Sequence, residues 1–260
     1  MADYARLFDL AGKVAVVTGA AGNLGPHFCA ALKDHGARVV AVDLAAPALN
    51  VDLALACDVA DPDAVAAMVK AVLARFGRID VLHNNAASKG DDLAAFFEPA
   101  ETYSLATWRA VMAVNLDGLF LVAQAVGRAM AEAGGGSIIQ TGSIYGAVGP
   151  DPRIYEGSHY LGRQINTPPV YSASKAGLAG LTRHLATIWG PRGVRVNTLT
   201  LGGVATGQNS AFTERYAARV PLGRMARPQD VVGALVWLAS DASAYVTGQN
   251  IMVDGGWTAW

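Results

Sequence analysis

Short apolar runs alternate with longer stretches of helical periodicity along most of the chain. The apolar runs predict buried strands, because they are continuously hydrophobic and end at turn-forming residues. These strands are predicted at 13–18, 38–43, 53–57, 79–84, 137–142, 194–200 and 250–253. Helices are predicted at 24–35, 62–76, 105–133, 171–189 and 228–240, where several ends are marked by Gly or Pro.

This alternation predicts an α/β protein with a doubly wound, mostly parallel, seven-stranded sheet and helices on both faces. No repeat or linker-like break divides the chain. We therefore expect residues 1–260 to form one domain.

Composition and charge exclude several classes of protein. Hydrophobic residues make up 52% of the chain, charged residues 16%, and the net charge is −1. This balance argues against disorder and offers no general attraction for nucleic acid or acidic membranes. The N-terminus lacks a signal-peptide pattern, and we find no apolar run of the ~18 residues that span a bilayer. A soluble, cytoplasmic protein is expected, with Cys29 and Cys57 as buried free thiols.

A glycine-rich turn, Thr18 to Gly25, separates the first strand from the first helix. Glycines there allow a tight turn and close approach of a pyrophosphate, whose charge meets free N–H groups of the helix. The turn alone is a weak signal, but its place in the first βαβ unit favours dinucleotide binding. Asp43 ends the second strand, where its carboxylate would bind a ribose and repel a 2′-phosphate. The sequence therefore favours NAD over NADP as cofactor.

The segment Tyr171-Ser172-Ala173-Ser174-Lys175 carries the candidate proton-transfer chemistry. On a helix, a spacing of four places the phenol and the ammonium one turn apart on the same face. A nearby cation stabilises phenolate, so we expect Lys175 to lower the pKa of Tyr171 toward the range of a general base. Chance alone supplies roughly 0.15 such pairs in a chain of this composition, so the surrounding residues must decide.

These motifs together resemble the short-chain dehydrogenase/reductase family, from the first strand to the C-terminus. Its Thr-Gly-x-x-x-Gly-x-Gly pattern aligns on Thr18 to Gly25, with Asn23 in place of the middle glycine, and its Asn-Asn-Ala-Gly on Asn84 to Ala87. Leu201 replaces the family's usual proline. The resemblance implies a Rossmann fold. It also implies that NAD is held by Gly19, Asn23, Leu24, Gly25, Asp43, Asp58, Val59, Asn85, Ala86, Tyr171, Lys175, Val204 and Thr206.

The same resemblance implies a catalytic set of Asn115, Ser143, Tyr171 and Lys175. Tyr171 would accept the hydroxyl proton, Ser143 would hold the substrate oxygen, and Lys175 would stabilise the phenolate and bind the nicotinamide ribose. Asn115 would fix a water that relays the proton from Lys175. Taken singly, Ser143 reads equally well as a turn residue and Asn115 as a core amide.

The stretch before Tyr171, residues 144–169, is longer than usual in the family and is a candidate substrate loop. Its hydrogen-bonding side chains suit a polyhydroxylated ligand, and its arginines could pair with an anionic group. The candidate substrate residues are Tyr145, Arg153, His159, Arg163 and Gln164, with Asn166 in the same set. The alternative is a solvated surface loop, since Asp151 and Glu156 balance the arginines. Relatives that modify sugars carry a similar segment, so sugar-like substrates are favoured by analogy.

We therefore expect NAD-dependent oxidation of a secondary alcohol on a sugar, sugar acid or polyol to a ketone or lactone. The alternatives are a reductase of ketoacyl thioesters or other carbonyls, and a catalytically silent NAD-binding regulator. The histidines are scattered without ligand spacing, so no metal site is expected. Trp257 and Trp260 near the chain end suggest burial against a neighbouring subunit, and a homotetramer is expected.

Overall fold

The computed structural model describes residues 4–160 and 162–260. Its main sheet has seven strands, all paired in parallel, in the order β3-β2-β1-β4-β5-β8-β9. The strands are β1 Val14–Thr18, β2 Arg38–Asp43, β3 Leu53–Ala56, β4 Val81–Asn84, β5 Gly136–Ser143, β8 Val194–Leu201 and β9 Asn250–Val253. A separate antiparallel ribbon joins β6 His159–Tyr160 to β7 Arg163–Gln164. The predicted α/β class and single-domain, doubly wound sheet are confirmed.

Helices cover both faces of the sheet. They are α1 Gly25–Asp34, α2 Pro62–Phe76, α3 Leu93–Phe96, α4 Leu105–Met112, α5 Leu119–Ala133, α6 Pro169–Trp189, α7 Ser210–Ala217 and α8 Pro228–Ala239. The sheet has a hydrophobic core on each face, and neighbouring residues of a strand belong to opposite cores because successive side chains alternate across a sheet. Val16 belongs to the core beneath α2 and α5, and Val17 to the core beneath α1 and α8. Burial on both faces explains why the strands read as continuous apolar runs.

The ends of α2 show how local sequence sets an element. The Asp61 side chain caps the helix by accepting from the backbone N–H groups of Asp63 (2.8 Å) and Ala64 (3.3 Å). Pro62 occupies the first turn, and Gly77 ends the helix in the left-handed conformation at φ 76°. The predicted bounds of this helix are therefore correct.

The predicted single helix at 105–133 is wrong in one respect. A π-helical turn, Ala113–Gly118, separates α4 from α5 and contains Asn115. Such turns are rare and frequently occur at functional sites. The whole apolar stretch reads as one α-helix in the sequence, so this turn was missed.

The same segment corrects a second expectation. Leu105–Ala133 is the one helical stretch within residues 4–160 and 162–260 that is long and apolar enough to cross a bilayer, with a mean hydropathy of 1.6 over its most apolar window. The sequence analysis had found no such run. Val122, Val126 and Met130 of α5 are fully buried in the core against the sheet, which accounts for the apolar character of this helix.

Two parts of the fold near the predicted substrate loop were not foreseen. Residues 144–169 contain two 3-10 turns, Ile144–Gly146 and Pro152–Tyr155, and the β6–β7 ribbon. Helix α7 was also missed, since only Tyr216 of its residues is buried and its apolar periodicity is weak. A third, smaller hydrophobic cluster joins this helix to the loop through Ile154, Tyr155 and Tyr216.

The C-terminal tryptophans differ from expectation. Trp257 is only 4% exposed, but it stacks on Tyr216 of its own chain at 4.3 Å between ring centroids. Its burial therefore needs no neighbouring subunit. Trp260 is 76% exposed, and its indole N–H donates to the Arg219 carbonyl at 3.1 Å. The homotetramer remains a prediction, and of the two tryptophans only the exposed Trp260 still supports it.

We expect Gly127→Ala to destabilise the protein by about 1–3 kcal/mol, the usual cost of overpacking a core. A Cβ at Gly127 in α5 would lie 2.3 Å from the Trp189 ring. The matched control is Gly180→Ala in α6, where a Cβ meets nothing within 4 Å. Urea unfolding should show the control unchanged or more stable by up to about 1 kcal/mol. Equal stabilities for the two variants would contradict the packing.

Candidate active site

A cavity of about 500 Å³ opens at the carboxyl ends of the central strands. Open α/β sheets bind ligands at this edge, where the strand order reverses between β1 and β4. The cavity extends from the glycine turn at Asn23 and Leu24 to the ends of β5 and β8 and the start of α6. Its volume is that of a small-molecule site.

The structure brings three of the four predicted catalytic residues to one wall of this cavity. Ser143 ends β5, and Tyr171 and Lys175 lie one turn apart on α6. The Lys175 ammonium donates to the Thr141 carbonyl at 2.8 Å and lies 5.9 Å from the centroid of the Tyr171 ring. The phenol of Tyr171 interacts with the hydroxyl of Ser143.

The pKa of Tyr171, beside Lys175, differs from the one that the sequence predicts. Burial raises the pKa of Tyr171, and the hydrogen bond with Ser143 offsets only part of this rise. Burial also lowers the pKa of Lys175 to about 8, because little solvent reaches its ammonium. The expected lowering of the Tyr171 pKa by Lys175 is therefore wrong for the protein alone, in which desolvation is the largest effect on this pKa.

Asn115, the fourth catalytic candidate, is fully buried in the π-turn. Its Oδ1 accepts from the Ser88 backbone N–H at 2.7 Å, and its Nδ2 donates to the Ser88 carbonyl at 3.1 Å. The amide thus fixes the segment that follows β4. These bonds define Asn115 as a residue that positions the cavity wall.

The glycine turn packs tightly against the neighbouring backbone. Gly19 has φ 65°, and a Cβ on it would lie 2.8 Å from the Ala86 Cα. A Cβ at Gly25 would meet the Ala20 carbonyl oxygen at 2.4 Å. Helix α1 begins at Gly25 without a side-chain cap, and the Gly25 N–H donates to the Gly22 carbonyl at 3.2 Å. Asn23 and Leu24, just before the helix, line the cavity.

Asp43 braces this turn from the end of β2. One carboxylate oxygen accepts from the Ala21 N–H and the other from the Leu44 N–H, both at 2.8 Å. Asp58, after β3, accepts from the Ala60 N–H at 2.9 Å, and the adjacent Val59 is buried. Both acids keep free lone pairs beside their structural bonds.

Asn85 and Ala86 connect β4 to the same turn. The Asn85 amide donates to the Thr18 carbonyl at 3.1 Å, and the Ala86 N–H donates to the Thr18 hydroxyl at 3.1 Å. On the other side of the cavity, Val204 and Thr206 follow β8 and line the same space. All predicted cofactor residues therefore lie at this end of the sheet or on the segments that follow its strands.

Only some of the predicted substrate residues line the cavity. Tyr145 lines the cavity. Arg153 does not: it forms a two-pronged ion pair with Asp151 at 2.8 Å for each contact, and its side chain is 72% exposed. His159 and Gln164 pair across the β6–β7 ribbon, where both are exposed and outside the cavity lining. The Arg163 side chain lies outside the described part of the structure.

Other residues of the loop and of its neighbours reach the cavity. The Tyr155 phenol contacts the Tyr145 hydroxyl at 3.3 Å and also bonds the Thr167 hydroxyl. The Asn166 amide donates to the Phe97 carbonyl at 3.1 Å, while its Oδ1 has no partner. Phe212 of α7 and Lys89 complete this side, and neither carried a sequence signal that marked it.

Fold and site together define a dinucleotide-dependent oxidoreductase. The family model described as enoyl-(acyl carrier protein) reductase matches residues 19–258. D-threitol dehydrogenase of Mycolicibacterium smegmatis is 41% identical, over 96% of this chain and 95% of its own length. The chain belongs to the short-chain dehydrogenase/reductase family and is an oxidoreductase that acts on a CH–OH group.

Two solved structures of relatives hold cofactors. A short chain dehydrogenase from Leptospira borgpetersenii with bound NAD+ is 32% identical, with a TM-score of 0.86 over 99% of this chain and 96% of the other. A gluconate 5-dehydrogenase from Burkholderia cenocepacia in complex with NADP and tartrate is 30% identical, with a TM-score of 0.81 over 98% of both chains. Relatives of this chain thus bind NAD or NADP.

A buried histidine beneath the site gives a pH-dependent prediction. His83 in β4 is fully buried, and its Nε2 bonds the Thr141 hydroxyl at 2.9 Å. Burial lowers the pKa of His83 to about 3, from 6.5. The unfolded chain therefore takes up a proton first as pH falls through 6.5, and the folded state loses stability between that pH and about 3.

We expect this group to reduce the free energy of unfolding by up to about 1.4 kcal/mol per pH unit below pH 6. His83→Gln removes the titration, so its stability should fall less steeply between pH 6 and 4 in urea unfolding. The exposed His159→Gln should keep the slope of the unmodified protein. Identical slopes in all three proteins would contradict the buried, neutral state of His83.

Proposed function

We propose that the protein catalyses NAD-dependent oxidation of a secondary alcohol on a sugar, sugar acid or polyol, with Tyr171 as general base. The observation that carries the proposal is the convergence of Ser143, Tyr171 and Lys175 on one wall of the cavity. The similarity to a threitol dehydrogenase supports the substrate class.

The residues present fit a dinucleotide. Gly19 and Gly25 allow a tight turn in which a Cβ would clash with the backbone of Ala86 or Ala20, and the start of α1, which has no side-chain cap, suits a pyrophosphate. When bound, NAD supplies the hydride acceptor at C4 of a positively charged ring. Val204 and Thr206 are the proposed contacts for its carboxamide end, and Asp58 and Val59 for its adenine end.

Tyr171 removes the hydroxyl proton of the substrate, and Ser143 donates a hydrogen bond to the same oxygen as the carbonyl forms. The phenol needs help to ionise, because its burial raises its pKa. Lys175 supplies part of that help as a cation fixed by Thr141, and it also reaches the nicotinamide ribose in this proposal. Asn115 positions the opposite wall by holding Ser88.

The first test is Tyr171→Phe, which removes the base and leaves the ring. Turnover should fall by at least about 10²–10⁴-fold, while NAD binding measured by calorimetry survives, because the ring still packs beside Ser143. Tyr245→Phe, at a fully exposed site, is the matched control and should retain full activity. Full activity of Tyr171→Phe would overturn the assignment.

Cofactor choice is proposed to depend on Asp43. Its negative charge at the end of β2 would repel a 2′-phosphate, so NAD should be preferred to NADP. We expect Asp43→Asn to raise kcat/KM for NADP relative to NAD by about tenfold, which corresponds to about 1.4 kcal/mol. Asp58→Asn, the control, should change kcat/KM for NAD and for NADP by the same factor. An unchanged cofactor ratio in Asp43→Asn would exclude this role.

The description of the matching family model favours a second candidate, reduction of an acyl thioester. It predicts fast oxidation of NADPH with such a thioester and little oxidation of polyols by NAD. A cytoplasmic homotetramer is also proposed, on the grounds given by the sequence.

A further inference from the structure

We propose that Lys89 binds a carboxylate on the substrate, so that the preferred substrates are hydroxy acids of the sugar-acid type over neutral polyols. The inference rests on the proposed function and deepens it. Lys89 here is a specificity residue: its ammonium acts on a part of the substrate that does not react.

The charged side chains that the structure describes in the cavity lining are all positive. Among the described residues that line the cavity, Lys89 and Lys175 are the charged side chains, and no Asp or Glu belongs to the lining. Lys175 is already occupied, since its buried ammonium donates to the Thr141 carbonyl next to Tyr171. Lys89 is left as the cation available to a group away from the reacting carbon. A single positive charge matches a monoanion such as a carboxylate.

The backbone around Lys89 is fixed relative to the catalytic centre. The residue before it, Ser88, has both its N–H and its carbonyl bound to the amide of Asn115. The residue after it, Gly90, donates its N–H to the Ser88 hydroxyl at 2.9 Å and has φ 74°. This tight turn places Lys89 at a set position on the wall that Asn115 holds. A long flexible side chain starting there needs little reorganisation to reach the cavity.

The ammonium of Lys89 has no competing partner in the described part of the chain, where it forms neither an ion pair nor a side-chain hydrogen bond. The nearby Asp92 is engaged as the cap of α3, accepting from the N–H groups of Ala94 (2.8 Å) and Ala95 (3.2 Å). Arg153, the earlier candidate for an anion, is bound to Asp151 away from the cavity. Among the residues that the structure describes, Lys89 is thus the cation on the cavity that is free to bind a ligand.

Neutral polar groups that line the same cavity as Lys89 suit the hydroxyls of the same ligand. The Oδ1 of Asn166 lacks a partner, while its Nδ2 is held by the Phe97 carbonyl. Tyr145 and Tyr155, whose phenol groups contact each other, line the cavity as well. A short hydroxylated chain can therefore bind its alcohols to these groups and its terminal carboxylate to Lys89.

The test uses three ligands that share a four-carbon skeleton: threitol, threonate and tartrate, with zero, one and two carboxylates. Their dissociation constants are measured by calorimetry on the NAD-loaded unmodified protein, Lys89→Met and Lys89→Arg. We expect threonate to bind the unmodified protein about five- to tenfold more tightly than threitol. Lys89→Met should abolish that difference, and Lys89→Arg should restore most of it. Added salt should weaken threonate binding and leave threitol binding unchanged.

Equal affinities for threonate and threitol, no binding of threonate, or a preference unaffected by Lys89→Met would each overturn the inference. The affinity of each variant for NAD alone is the control for folding and should not change. Initial rates separate the two proposals. Oxidation of threitol by NAD at equal rates in the unmodified protein and Lys89→Met, without preference for threonate, rejects the role of Lys89 alone. Lys89-dependent binding of threonate without oxidation of any ligand rejects the proposed function and keeps the site.

Discussion

The hydrogen bond from the Lys175 ammonium to the Thr141 carbonyl is the contact on which the site depends. It joins α6 to the end of β5, and so sets Tyr171 opposite Ser143. Lys175 is only 4% exposed, so breaking the bond would leave a buried charge without a partner. That constraint explains why the helix must approach the sheet closely at this point. The turn that follows β5 is equally close to α6, since a Cβ at Gly146 would lie 2.6 Å from the backbone of Lys175.

Much of the proposed cofactor end has a structural role. Thr18 accepts the N–H groups of Asn85 and Ala86 with its hydroxyl, at 2.9 and 3.1 Å. Asp43 holds the glycine turn through the Ala21 N–H. These bonds shape the turn before any ligand arrives, which lowers the ordering cost of binding. The same residues therefore stabilise the edge of the sheet and preorganise the proposed cofactor site.

The substrate end is built differently. The loop before α6 and helix α7 share a small hydrophobic cluster of their own, apart from the two cores of the sheet. Ion pairs between Arg215 and Glu156 (2.8 Å) and between Arg219 and Asp151 (3.1 Å) hold them together at the surface. The Tyr216 phenol also accepts the Gly203 N–H at 2.5 Å, which ties α7 to the segment carrying Val204. A covering layer of this kind can change in sequence without disturbing the sheet.

The sequence by itself determined the sheet and most helix ends, and it singled out the candidate catalytic residues Ser143, Tyr171 and Lys175, which the structure brings to one cavity wall. These follow from local patterns: continuous apolar strands, caps such as Asp61, and the fixed spacing of Tyr171 and Lys175 on a helix. Only the tertiary structure decided the rest. The π-turn at Asn115, the pairing of Arg153 with Asp151 and the exposure of Lys89 to the cavity depend on contacts between distant segments. The raised pKa of Tyr171 has the same origin, because burial is set by everything packed around a group and not by its neighbours in sequence.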